Sequence, residues 1–167
     1  MLALDSSDNV YVAGANNLVA VYAAGSFGNV APMRMIAGAS TKLNDPLGLS
    51  LDSAANVYVV NFDPTPGAVA VDASGDNGNV SPSRYINGRK TKLYYPEGIA
   101  VDGTGNAYVA NTLKNYITVY GPESSGIPLR EPSSKERRPV WTDREASRSA
   151  DDWPPRLTGL GPFHLIG

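Results

Sequence analysis

Tandem four-stranded antiparallel sheets, an all-β fold, are what this sequence predicts, on three observations. One stretch, Pro96–Asn111 (Pro-Glu-Gly-Ile-Ala-Val-Asp-Gly-Thr-Gly-Asn-Ala-Tyr-Val-Ala-Asn), returns at Pro46–Asn61 and, shortened, from Leu2 through Asp5 to Val12. Residues 28–61 set against 78–111 at a constant offset of 50 share 17 of 34 positions, far above chance, which marks a duplicated unit. Each copy breaks into short apolar runs divided by Gly, Asn, Asp and Pro, the punctuation of strands and turns rather than of helices.

Within a copy, the first two strands form a hairpin. Leu49-Ser50-Leu51 and Ile99-Ala100-Val101 each end in Asp, and after a tight turn Val57–Val60 and Ala107–Ala110 run back. The turn Asp102-Gly103-Thr104-Gly105 fits a type I turn followed by a left-handed residue, with the Asp bonding amides ahead of it. Gly105 takes positive φ freely, Asp8 tolerates it, and Ala55 at the same place is expected to carry roughly 1 kcal/mol of strain.

A third strand follows at Leu18–Tyr22, Ala68–Val71 and Tyr116–Tyr120, the last rich in β-branched and aromatic residues. The first and second copies lie 47 apart at Tyr11 and Tyr58 but 50 apart at Val21 and Val71. This places a three-residue insertion in a surface loop at Phe62-Asp63-Pro64-Thr65-Pro66. Turn-rich links, Ala24–Asn29 and Ser74–Asn79, lead to a fourth strand at Met33–Ile36 and Ser83–Ile86, introduced by Pro32 and Pro82. A proline belongs at a strand start or sheet edge, so the fourth strand is expected to be outermost.

Four strands in about fifty residues, apolar toward both faces, describe one blade of a β-propeller. The expected architecture is a partial propeller of about three four-stranded antiparallel blades, approximately 1–46, 47–96 and 97–121, followed by an irregular C-terminal tail, 122–167. That tail holds 7 of 13 prolines, 7 of 14 basic residues, both tryptophans and the only histidine, but no tyrosine, so its composition breaks with the repeats. It reads as disordered or as the product of a shifted frame, with Gly126-Ile127-Pro128-Leu129-Arg130 as a decayed fourth strand of the third blade.

The Pro-x-Gly-Ile-Ala-Val-Asp-x-x-Gly-Asn-x-Tyr-Val-Ala-Asn pattern, with Asn-x-Ile-x-Val-Tyr and Gly-Asn-Val-x-Pro-x-Arg-x-Ile-x-Gly, resembles the NHL-repeat propellers and the wider gluconolactonase/senescence-marker-like group. The resemblance covers residues 2–121. It implies a secreted, periplasmic or cell-surface setting for a longer parent protein. In the gluconolactonase-like enzymes it also implies a divalent cation, Ca2+, on the propeller axis, with Glu97 matching a ligating Glu and Asn61 or Asn111 a ligating Asn. Leu47 stands where a second Glu would be expected, and a match for the catalytic Asp is lacking.

Read for themselves, Asn61 and Asn111 are strand-end caps, and Asp5, Asp52 and Asp102 are turn formers. Asp72–Asn79 is oxygen-rich but lacks EF-hand spacing and its terminal Glu, so it reads as a solvated link. Arg34 and Arg84 on the fourth strands read as blocks to edge-to-edge pairing, and Lys42 and Lys92 occupy matching link sites. The adjacent Tyr94 and Tyr95 form an aromatic pair able to pack on a neighbouring blade or stack on a sugar. His164 has no nucleophile near it in sequence, and no nucleophile elbow, phosphate loop or zinc cluster occurs.

A net charge of −2 gives no reason to expect nucleic acid, and no apolar run is long enough to span a bilayer. With no cysteine, disulfide and thiolate chemistry are excluded. No signal peptide precedes the first copy, which lacks the opening Pro-x-Gly, so the chain is expected to begin inside a longer one. The reading is a non-catalytic repeat protein with a surface for a protein or carbohydrate ligand at Asn61, Asn111, Tyr94 and Tyr95, self-associating through its open blade faces. The alternative is a fragment of a metal-dependent lactonase-like hydrolase.

Overall fold

The computed structural model describes residues 1–14, 16–62, 66–126 and 128–129. Among the described residues, eleven strands form three successive antiparallel sheets. Blade 1 contains β1 (Leu2–Leu4), β2 (Val10–Gly14), β3 (Leu18–Tyr22) and β4 (Arg34–Ala37). Blade 2 contains β5 (Pro46–Leu51), β6 (Val57–Asn61), β7 (Ala68–Asp72) and β8 (Arg84–Ile86). Blade 3 contains β9 (Pro96–Val101), β10 (Ala107–Asn111) and β11 (Tyr116–Tyr120). Strand order follows chain order, so β4 and β8 lie at sheet edges as their prolines require. The Leu129 amide donates to the Val119 carbonyl at 2.6 Å, the rung that Met33 makes to Val21 in blade 1 at 2.8 Å. Of the expected tail, residue 127 and residues 130–167 lie outside the described residues.

Registers confirm the offsets read from the repeats. Tyr11 pairs with Val21 as Tyr58 pairs with Val71, which puts the extra residues between β6 and β7, although 63–65 lie outside the described residues. Pairing of β5 with β6, and of β9 with β10, shifts by one residue near the opening proline. The strand thus begins on an irregular rung where a missing N–H does least harm.

The core lies between sheets, in two layers. Tyr11, Ala13, Val19, Val21 and Ile36 of blade 1 pack against Leu49, Val57, Val59 and Ala70 of blade 2. The alternate residues of the same blade 2 strands, Tyr58, Val60, Val69 and Val71, join Ile86 and pack on Ala107, Val109 and Tyr120 of blade 3. Because side chains on a strand alternate between faces, β6 and β7 serve both layers, and all ten of their residues are buried. Between the inner strands the fit is close: a Cβ on Gly48 would lie 2.7 Å from the Glu97 carbonyl oxygen, so only glycine admits this approach of β9 to β5.

The link before β8 departs from its expected role as a solvated connection. It lies along the edge of blade 1, where Gly78 forms a parallel bridge with Ile36. The Gly78 amide donates to the Met35 carbonyl (2.7 Å) and the Ala37 amide to the Gly78 carbonyl (3.1 Å). Asn77 and Asn79 accept from the amides of Met35 (3.0 Å) and Ser40 (2.7 Å) through their side-chain oxygens. The physical reason is the unpaired backbone of β4, whose donors and acceptors are met by the next blade's link rather than by water.

Arg34 and Arg84 also do more than block an edge. Arg34 lies 5.8 Å over the Tyr11 ring, donates to the Tyr11 hydroxyl (3.0 Å) and reaches the Asp76 carbonyl (3.2 Å). Arg84 lies 5.5 Å over Tyr58 and donates to the carbonyls of Gly121 (2.9 Å) and Pro122 in the link after β11. Each arginine therefore ties its own blade to the next through a cation–π contact and charge-assisted hydrogen bonds.

One residue breaks the pattern. Tyr120 ends β11 fully buried and donates to the Thr91 carbonyl at 2.5 Å, but the corresponding residue of β7 is Asp72. By alternation with Ala70 it faces the junction with blade 1, and both its carboxylate oxygens are buried without a hydrogen-bond partner among the described residues. Burial, and secondarily the charge of Asp76, push its pKa up from 3.8 to about 6. Between about pH 3.8 and 6 the folded chain thus holds a proton that the unfolded chain has lost. This contribution is fully present below pH 3.8 and is lost as pH rises through about 6.

Asp72→Asn is expected to stabilise the fold by ~2 kcal/mol at pH 7.5 and to change little at pH 4, measured by urea denaturation at both values. The turn residues Asp8, Ala55 and Gly105 have φ of 61°, 60° and 83°. Ala55→Gly relieves a left-handed alanine and should raise stability by ~0.5 kcal/mol, less than the full strain because glycine also frees the unfolded chain. A fall in the denaturation midpoint would contradict that assignment.

Candidate functional site

The recurring carboxylates are occupied by their own turns. Asp102 accepts the amides of Thr104 and Asn106 on one oxygen (both 2.9 Å), and the Asn106 side chain (3.0 Å) and Tyr108 hydroxyl (3.1 Å) on the other. Asp5 and Asp52 repeat the arrangement with Asn9 and Tyr11, and with Asn56 and Tyr58. Hydrogen bonds from Asn9 and Asn106, respectively, lead the causes that hold Asp5 and Asp102 below the usual carboxylate range. These groups are fixed anions that order a turn, with their lone pairs already engaged.

Asn61 and Asn111 are buried at the ends of β6 and β10, where each holds down the link entering its blade. Asn61 accepts from the Asn44 amide (3.1 Å) and donates to the Lys42 carbonyl (2.6 Å). Asn111 accepts from the Tyr94 amide (2.8 Å) and donates to the Val109 carbonyl (3.2 Å) and the Thr118 hydroxyl (3.1 Å). Glu97 follows Pro96, the residue paired with Asn111, but its side chain is exposed. The structure therefore puts Glu97 in the register shift between the Pro96–Asn111 and Gly98–Ala110 rungs and leaves Asn61 one blade away. Among the described residues no group of three or more His, Cys, Asp or Glu is placed to hold a metal ion. His164 lies outside the described residues.

Tyr94 stands at a different kind of place. Together with Pro66, Arg89 and Leu93 it lines a pocket of about 420 Å³ where the β6–β7 loop meets the link into blade 3. Asn111 fixes the Tyr94 backbone, and the Lys114 ammonium lies 5.8 Å from the ring centroid. Gly67 forms the back of the contact: its amide donates to the Leu93 carbonyl (3.3 Å), and a Cβ there would fall 2.4 Å from Pro96.

Tyr95 does not enter the pocket; its ring packs 5.5 Å from that of Phe62. Its φ of 47° puts a bulky aromatic residue in the left-handed region, where the preceding blade has Asp45 at the same φ. Such strain persists only where the surroundings impose it. Here the Tyr95 carbonyl accepts from the Thr112 amide (3.3 Å) and hydroxyl (3.2 Å).

Two features of this end escape sequence reading. Arg89 lines both this pocket and a neighbouring one of about 280 Å³ with Asn87, Gly88, Lys90, Ser125 and Gly126. Its repeat partner is Ala39, so comparison of the copies flagged neither its charge nor its position. Pro66 belongs to the insertion, which has no counterpart at all.

A family described as a β-propeller repeat (SBBP) matches residues 83–110. The matched segment starts one residue before β8 of blade 2, crosses the link and β9, and ends one residue short of the end of β10. The chain carries a β-propeller repeat. No curated protein was found to match it. No helix among the described residues is long and apolar enough to cross a membrane.

Asn111→Ala is expected to cost ~2 kcal/mol in chemical denaturation, because it leaves the part-buried Tyr94 amide and the buried Thr118 hydroxyl without this partner. Glu97→Ala should stay within ~0.5 kcal/mol of the parent. The reverse ranking in calcium-containing buffer would assign Glu97 a ligating role.

Proposed function

We propose that this protein is a non-catalytic propeller-repeat module whose binding surface is the blade end carrying Tyr94, with an acidic oligosaccharide as its ligand. The observation that carries this reading is the pocket lined by Tyr94, Leu93, Pro66 and Arg89. Apolar and aromatic surface beside a guanidinium suits a ring with one apolar face and a carboxylate. Lys90 and Lys92 on the same link are exposed, and Lys114 borders Tyr94, so the local charge is positive although the whole chain is acidic. The side chain of Asn111 is already committed to holding this link, which favours a supporting role over metal ligation.

Titration calorimetry with oligogalacturonate and with a neutral maltooligosaccharide tests the reading. The acidic sugar is expected to bind, and Tyr94→Ala and Arg89→Ala each to weaken it about tenfold, ~1.4 kcal/mol, with unchanged thermal stability. Binding of neither sugar would dismiss the carbohydrate ligand. A calcium-dependent rise in melting temperature that Glu97→Ala removes, with hydrolysis of a lactone, would replace the binding module with a lactonase-like hydrolase.

A further inference from the structure

The two outer faces of the described blades are the two halves of one repeated junction. At both internal junctions, the face looking toward the following blade carries residues of one alternation set: Tyr11, Ala13, Val19 and Val21 in blade 1, and Tyr58, Val60, Val69 and Val71 in blade 2. Blade 3 carries the same set as Tyr108, Ala110, Ile117 and Val119, with Tyr108 and Ile117 exposed, the latter by 59%. The receiving face of blade 2 is Leu49, Leu51, Val57 and Val59. In blade 1 the corresponding residues are Leu2, Leu4, Val10 and Val12, with Leu4 exposed by 56%.

Two further details mark these faces as unfilled versions of a junction. Gly48, whose Cβ position is blocked by the Glu97 carbonyl of the next blade, has its equivalent in Gly98, where the nearest such atom is the Ala110 side chain of the same sheet at 3.6 Å. The link Ser26–Val30 corresponds to Asp76–Val80, which lies along the edge of blade 1. In blade 1 this link instead borders a groove of about 350 Å³ with Val10 and Tyr22, and Phe27 is 88% exposed.

We infer that a second copy of this chain docks head to tail, the blade 3 face of one copy seating on the blade 1 face of the other. The occupant is argued from continuity with the two internal junctions: the outer faces present the same apolar positions in the same alternation, one as the giving and one as the receiving side. Two copies apply the contact twice and bring six described blades together, within the four to eight typical of propellers. A heterologous contact that closes in this way ends in a ring rather than a filament. The surface is separate from the pocket at Tyr94, so sugar binding and assembly stand or fall independently.

Light scattering on the full chain at about 50 μM is expected to give twice the 17.6 kDa monomer mass. Leu4→Glu and Ile117→Glu alter positions that are exposed in one copy, so each should stay folded by circular dichroism and become monomeric. An equimolar mixture of the two variants should regain a dimer, because one wild-type head can still meet one wild-type tail. A monomeric parent chain would overturn the inference. So would a dimer that survives either single substitution, or a mixture that stays monomeric. Survival of the Ile117→Glu dimer alone would indicate a head-to-head contact, and a chain that dimerises only after removal of residues 130–167 would indicate that its own tail covers the face.

Discussion

A sheet that is apolar on both sides cannot be stable by itself, and this constraint governs the rest of the molecule. Blade 2 satisfies it: Val57 and Val59 face one neighbour, Tyr58 and Val60 the other, and all four are buried. Burying a side chain of this size contributes on the order of 2 kcal/mol, so each junction supplies most of the driving force for the two sheets that meet there. Local hydrogen bonding shapes a blade, but the neighbour determines whether it persists.

Around that apolar sandwich a second, polar set of contacts recurs and fixes how one blade meets the next. Asp5 orders a turn and accepts from Tyr11; the Tyr11 hydroxyl in turn accepts from Arg34, whose other nitrogen reaches the following link. In blade 2 the same three residue types appear as Asp52, Tyr58 and Arg84. The hairpin turn at one end of the inner strands is thereby coupled to the outer edge of the sheet. Burial raises the pKa of both Tyr11 and Tyr58, so their hydroxyls remain neutral donors at physiological pH.

The repeats made the strands, their order and the turn chemistry legible, because a duplicated unit shows the same pattern more than once. Position Ala55, for example, could be assigned a left-handed backbone from Gly105 alone, and φ is 60°. What stayed hidden were contacts between units. Asp76–Asn79 looked like solvated turn residues because their partners, Arg34 to Ser40, lie about forty residues away in sequence. Arg34 and Arg84 read only as blocks to edge-to-edge pairing for the same reason. At the candidate site, Asn111 was readable as a cap because it ends a strand, whereas Arg89 and Pro66 gained significance only when a loop from one blade met the link into another.

The reach of each link back to the preceding edge has a temporal side. Arg34–Ala37 emerge from the ribosome well before Asp76–Asn79, the residues that pair with them. At ordinary elongation rates that delay is on the order of a few seconds. During translation blade 1 therefore passes through an interval with its outermost strand open, and its closure is timed by synthesis of the link before β8.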